Sequence, residues 1–150
     1  PVRRERSGLA RREAMHNEPL TIFGDGLQTR AFSDVKYYFK PFEQLMYEYD
    51  GEIFNLGADK ERTILEAAEL VRKCAGNFGF KPDIVHYEPR HEAKFAFCNH
   101  DKAKKLLGFR DDTNLEETIN EMFEWALTQP DHPVKNMSYE TDKKIYSYWK

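Results

Sequence analysis

Two arginines, Arg30 and Arg90, carry the strongest hint of chemistry in this chain. A guanidinium offers a planar fork of N–H donors that matches phosphate oxygens. Each arginine lies in or beside a loop that follows a strand-forming run. Composition alone favours two ordinary surface arginines over two phosphate-binding ones, and both readings stay open at this point. Gly24-Asp25-Gly26 looks like a phosphate loop but precedes an extended segment. It lacks the following helix N-terminus and reads as a hairpin turn. His86, His91, Cys98 and His100 are zinc-ligand types, yet their spacing fits no closed tetrahedral set, and no metal is expected. No histidine stands convincingly with a nucleophile and an acid, so no catalytic residue is assigned. The aromatics Tyr37, Tyr38, Phe39, Phe42, Tyr47 and Tyr49 read as core or interface rather than a base-stacking platform.

These residues need elements to position them. Leu20–Phe23 and Thr29–Ser33 read as extended segments, and Ile84–Tyr87 as a strand. Glu52–Gly57, with Ile53, Phe54 and Leu56, reads as a further strand after the Asp50-Gly51 turn. Thr63-Ile64-Leu65-Glu66 has the spacing of a capping box, in which the threonine oxygen and the glutamate each satisfy an orphan amide. Behind it Ile64, Ala67, Ala68 and Val71 share one helix face, and Gly76 closes the helix. Thr113-Asn114-Leu115-Glu116 has the same box spacing, with Leu115, Ile119, Met122, Phe123 and Ala126 as the buried stripe. Asp34 starts a helix toward Tyr47 that Pro41 interrupts or restarts. A short helix at 101–107 stops at Gly108, and an earlier one from about Ala10 reaches Asn17. The mixed order predicts an α/β or α+β piece with a sheet that looks incomplete.

The chain has 150 residues, which fits one domain or a large piece of one. A formal net charge of -3 gives no general attraction to nucleic acid or an anionic membrane, and neither is expected as a partner. No apolar run approaches the roughly 20 residues that span a bilayer. Two cysteines, Cys74 and Cys98, make no disulfide framework, so a reducing, cytoplasmic setting is expected. Three zones are expected: a basic arm at 1–13 with five arginines, a ligand-binding domain at 14–127, and a docked aromatic tail at 128–150.

The run Pro19 to Phe32 closely resembles a segment of the NAD-dependent epimerase/dehydratase family, the extended short-chain dehydrogenases acting on nucleotide sugars. Phe54-Asn55-Leu56-Gly57, the Thr63–Val71 helix, the Arg90–Lys94 loop and Lys102–Phe109 are similar to later family segments, in the same order. The resemblance covers residues 14 to 127. It implies the C-terminal, nucleotide-sugar-binding part of the fold, with the Rossmann half missing. It further implies that Thr21 and Phe23 sit against the base, and that Arg30 and Arg90 hold the diphosphate from two sides. Asn55 would contact the nucleotide and Glu92 the ribose. The implied ligand is a UDP- or dTDP-sugar. In the family, NAD takes a hydride from the sugar and later returns it.

The departures limit what this chain is expected to do alone. The glycine fingerprint of the dinucleotide-binding half is absent, so NAD is expected in the complete enzyme and not on this chain by itself. Tyr38-Phe39-Lys40 and Tyr139–Lys143 do not supply the family's tyrosine–lysine pair in a plausible context. Tyr37 stands where the family has aspartate, and Asp34 is expected to take over the helix cap. A missing Rossmann half, another subunit or self-association is the expected partner, because the strand at 53–56 lacks its neighbours. The alternative reading is a non-catalytic interaction or assembly module that retains this piece of fold.

Overall fold

The computed structural model describes residues 13–130. Residues 1–12 of the basic arm and 131–150 of the expected docked tail lie outside the described residues. Residues 13–15 are helical, so the first helix ends slightly before Asn17. The elements that follow are β1 (Leu20–Phe23), β2 (Thr29–Ala31), a 3-10 turn (Val35–Tyr38), α1 (Phe39–Glu48), β3 (Glu61–Thr63), α2 (Ile64–Asn77), β4 (Ile84–Tyr87), β5 (Phe95–Ala96), α3 (Asp101–Leu107) and α4 (Leu115–Leu127). This is the mixed α/β piece the sequence suggests. β1 and β4 form a parallel pair. β2 is the middle strand of a second sheet, antiparallel to β3 and parallel to β5.

The α2–α4 layer holds the larger core. The capping box at its entry is complete: the Glu66 amide donates to Thr63 Oγ1 at 3.0 Å, and the Thr63 amide donates to Glu66 Oε2 at 2.8 Å. The stripe Ile64, Ala67, Ala68, Val71 is half-buried and runs into fully buried Cys74 and Ala75. Leu20 of β1 packs there with Ala14, Ile119 and Phe123. Phe123 stacks on Phe78 with ring centroids 5.5 Å apart. Burial pushes the Cys74 thiol's pKa up. α2 runs one residue past Gly76, and the left-handed turn after it is at Gly79.

Three expectations are corrected. The second capping box does not form: Asn114 is the N-cap of α4, with no side-chain cap bond. The Thr113 hydroxyl is engaged elsewhere, accepting from the Asp34 amide at 2.8 Å and donating to Asp111 Oδ1. The 52–57 segment is not a strand. A strand needs a neighbour for its N–H and C=O groups, and the segment is fixed by isolated contacts instead. Third, Gly24–Gly26 is a turn but not a hairpin, since β1 and β2 belong to different sheets. Gly26 has φ 75°, and a Cβ there would meet Leu65 Cβ at 3.0 Å and Ile22 Cγ2 at 3.2 Å. Glycine therefore lets this turn pass close to the start of α2.

Asp34 does take over as a cap. Its Oδ1 accepts from the Lys36 amide at 2.9 Å, and Pro41 falls in the first turn of α1, where proline is tolerated. Oδ2 accepts from the Thr118 hydroxyl at 2.9 Å, which ties the 3-10 turn to α4. The aromatics of this stretch divide. Tyr37, Tyr38 and Tyr49 pack on a second core of Ala103, Leu107 and Phe109, whereas Phe39, Phe42 and Tyr47 are exposed.

Candidate functional site

The ends of β1 and β4 build the first wall. Phe23 and Tyr87 are register partners and project to the same face, with ring centroids 5.9 Å apart. The turn beyond β1 is held to β4: Gly24 N–H donates to the Tyr87 carbonyl at 2.9 Å, and His86 Nδ1 lies 2.7 Å from the Gly24 carbonyl. The chain then enters the Pro89–Lys94 loop. Arg90 from that loop lies over the Phe23 ring, with Cζ 3.3 Å from the centroid. A guanidinium on an aromatic face gains both electrostatic and stacking attraction.

β2 builds the second wall. Arg30 is half-buried; its Nη1 donates to the Thr29 carbonyl at 2.6 Å, and its Nη2 stands 3.7 Å from Glu92 Oε2. The same loop returns to β2, where the Thr29 amide donates to the Lys94 carbonyl at 2.9 Å. One short loop therefore carries both Arg90, seated on Phe23, and Glu92, paired with Arg30. The loop is thereby tied to residues more than 60 positions earlier in the sequence. Thr21 sits half-buried on β1, two residues before Phe23.

Asn55 comes in from the other side. Its Nδ2 donates to the Asn99 carbonyl at 3.2 Å, just beyond β5, whose Ala96 pairs with Arg30. Gly57 makes that approach possible, because a Cβ there would stand 2.9 Å from Cys98 Sγ. A cavity of about 250 Å³ lies further along, lined by Phe32, Lys60, Arg62, Asp111, Thr113 and Leu115 among others. Sequence reasoning missed Arg62 and β3, because a three-residue strand directly before a helix cap leaves no alternating pattern. It also missed His86 as the group that pins the turn.

Other titratable groups nearby are already committed. A hydrogen bond from Lys104 Nζ at 2.7 Å, and His100 Nε2 at 2.9 Å, hold the Asp59 carboxyl below its usual range. The spacing Tyr-x-x-x-Lys does occur in the chain, at 139–143 and again at 146–150. Both lie outside the described residues, in the aromatic tail.

The chain is similar to several enzymes whose names carry a UDP-sugar. UDP-glucuronic acid decarboxylase 1 of Danio rerio is 31% identical over 127 residues, covering 83% of this chain and 29% of the relative. A trifunctional UDP-glucose 4,6-dehydratase, epimerase and reductase of Arabidopsis thaliana is 29% identical over 123 residues, covering 79% of this chain and 18% of the relative. The structure of UDP-glucose 4-epimerase with UDP-glucose from Thermotoga maritima superimposes with a TM-score of 0.69 at 25% identity, over 79% of this chain and 39% of that one. UDP-glucuronic acid 4-epimerase from Bacillus cereus, in complex with UDP-glucuronic acid and NAD, shares the fold with a TM-score of 0.67 at 22% identity, over 77% of this chain and 37% of that one. No protein-family model matches the chain. In sequence and fold the chain matches the C-terminal part of NAD-dependent UDP-sugar epimerases and dehydratases. It spans less than a third of the length of the first curated relatives it matches.

Proposed function

We propose that this chain binds the nucleoside-diphosphate part of a UDP- or dTDP-sugar, as the substrate-binding share of an epimerase, dehydratase or decarboxylase. The observation that carries the reading is the Pro89–Lys94 loop, which brings Arg90 to Phe23 and Glu92 to Arg30. In the proposed complex the base stacks on Phe23 beside Thr21. Arg90 then leaves the ring and turns its fork to one phosphate, while Arg30 exchanges its long contact with Glu92 for a shorter, charge-assisted bond to the other. Glu92, released, accepts from a ribose hydroxyl, and Asn55 closes the nucleotide side.

The residues present do not fit NAD. The sequence has no Gly-x-x-Gly-x-x-Gly run, and the Gly24–Gly26 turn leads to β2 rather than a helix N-terminus. In this proposal NAD and the reacting groups belong to the complete enzyme. The partner is a dinucleotide-binding half, in line with exposed Ile53 on the unpaired 52–57 segment; a second copy of the chain is the alternative occupant. Among the described residues no helix is long and apolar enough to cross a membrane, and a cytoplasmic setting suits a sugar-nucleotide ligand and free cysteines.

A thermal-shift and calorimetric screen of the 150-residue chain against UDP-, dTDP- and GDP-sugars, each with and without NAD, tests the reading. UDP- or dTDP-sugars should raise the melting temperature and release or absorb heat on titration, and NAD alone should do neither. No response to any nucleotide sugar would remove the proposal.

A further inference from the structure

The β2–β3 ladder sets two arginines opposite one another. Arg30 is the register partner of Arg62, and directly opposed residues project to the same face with Cβ atoms about 4.5–5.5 Å apart. The other face obeys the same alternation: Thr29 pairs with Thr63, and the Thr29 hydroxyl donates to Glu61 Oε2 at 2.7 Å. Like charges directly opposed weaken a ladder. Compensation is slight here. Glu92 stands 3.7 Å from Arg30, and Arg62 forms no ion pair with any described residue. Two arginines opposed in register on three-residue strands are a local conflict, and conflicts of this kind concentrate at functional sites.

Arg62 also lines the cavity of about 250 Å³, together with Lys60 and Phe32. Lys60 forms no ion pair with a described residue either. The acidic walls form no ion pair with these cations. Asp59 is bound to Lys104 and His100, Asp112 lies 4.0 Å from Arg110, and Asp111 Oδ1 accepts from Thr113. Asp111 Oδ2 is buried without a hydrogen bond, and no described cation comes within ion-pair reach of it. Arg62 and Lys60 therefore stand beside open volume without an ion-pair partner among the described residues.

We propose that Arg62 is a further phosphate-binding arginine, holding the diphosphate of a nucleoside-diphosphate ligand jointly with Arg30. The inference rests on the nucleotide-sugar reading above. A diphosphate placed between the two guanidiniums turns their repulsion into two charge-assisted contacts. Nothing in the spacing of the sequence links the two residues; the antiparallel register does.

The opposed pair makes stability and affinity move in opposite directions, which a purely structural arginine would not do. Arg62→Ala removes the repulsion, so the ligand-free chain should melt at the same temperature or higher. The same variant should bind UDP about tenfold more weakly, the usual scale for one lost hydrogen bond to a charged group. Arg62→Lys should recover only part of the affinity, because lysine lacks the fork. Calorimetric titration of UDP into the parent, Arg62→Ala, Arg62→Lys and Arg30→Ala chains, with melting curves of each, decides the matter. If Arg30→Ala weakens UDP binding and Arg62→Ala does not, the nucleotide reading stands and this inference falls. It also falls if Arg62→Ala lowers the melting temperature along with the affinity. If the parent does not bind UDP at all, the nucleotide reading fails and takes this inference with it.

Discussion

The α2–α4 layer and the Arg30 sheet are built to different standards. In the first, two helices bring their stripes together over Phe123, Cys74 and Leu20, all almost fully enclosed. In the second, three strands of two or three residues carry half-buried and exposed side chains, with Phe95 at 61% exposure and Phe97, just beyond β5, at 62%. The 52–57 segment beside it is unpaired, and Ile53 is 83% exposed. The first region closes its core from its own residues. The second leaves polar and charged groups facing open space, as a site waiting for a ligand and a neighbouring domain would. Stability should accordingly reside in the helical layer, and ligand response in the sheet.

The largest expected effect tests that division. Phe123→Ala should cost about 3–5 kcal/mol in urea unfolding, the usual range for emptying an enclosed aromatic site. Phe54→Ala, at a half-buried ring packed edge-on to Tyr49 at 5.3 Å, should cost less than half as much. Equal costs would mean that the two regions are equally well packed. Next come the caps of the two long helices. Thr63→Ala breaks a complete box and should cost about 0.5–2 kcal/mol. Asn114→Ala removes a side chain that makes no cap bond and should stay within about 0.5 kcal/mol of the parent. A costly Asn114→Ala would mean that the Asn114 side chain caps α4 in solution after all.

The smallest effect is at Asp34, which joins the two regions through Thr113 and Thr118. Burial alone would raise its pKa, but the Lys36 amide and ammonium and the Thr118 hydroxyl outweigh that and hold it below its ordinary 3.8. A carboxyl depressed on folding adds stability above its unfolded pKa, and loses that contribution as pH falls through the folded value. Asp34→Asn should therefore lower the melting temperature at pH 7, and its difference from the parent should narrow as the pH drops below 3.8. A difference that does not change with pH would assign the effect to shape rather than charge.

The helical layer was legible in the sequence because its signals are local. The Thr63–Glu66 box, the stripe at Ile64, Ala67, Ala68 and Val71, and the Gly108 stop each lie within a few turns. The second box misled because its spacing is local but the fate of the Thr113 hydroxyl is not: Asp34, 79 positions away, donates to it. The 52–57 strand misled for a related reason, since alternation of Ile53, Phe54 and Leu56 says nothing about whether a partner strand exists. Arg30 and Arg90 were legible as residue types, and it was the family resemblance that suggested a shared purpose for them. Their common loop, the stack on Phe23 and the opposition of Arg62 depend on register and loop path, which no spacing encodes.

The central claim is that the Pro89–Lys94 loop and β2 present Arg30 and Arg90 to one diphosphate. Calorimetric titration of UDP into the parent, Arg30→Ala, Arg90→Ala and the double variant tests it most directly. Each single variant should lose about 1.5–3 kcal/mol of binding, the range for hydrogen bonds to charged groups. The double variant should depart from the sum of the singles, because the two groups share one ligand. Single and double variants that bind UDP as tightly as the parent, each with an unchanged melting temperature, would contradict the claim.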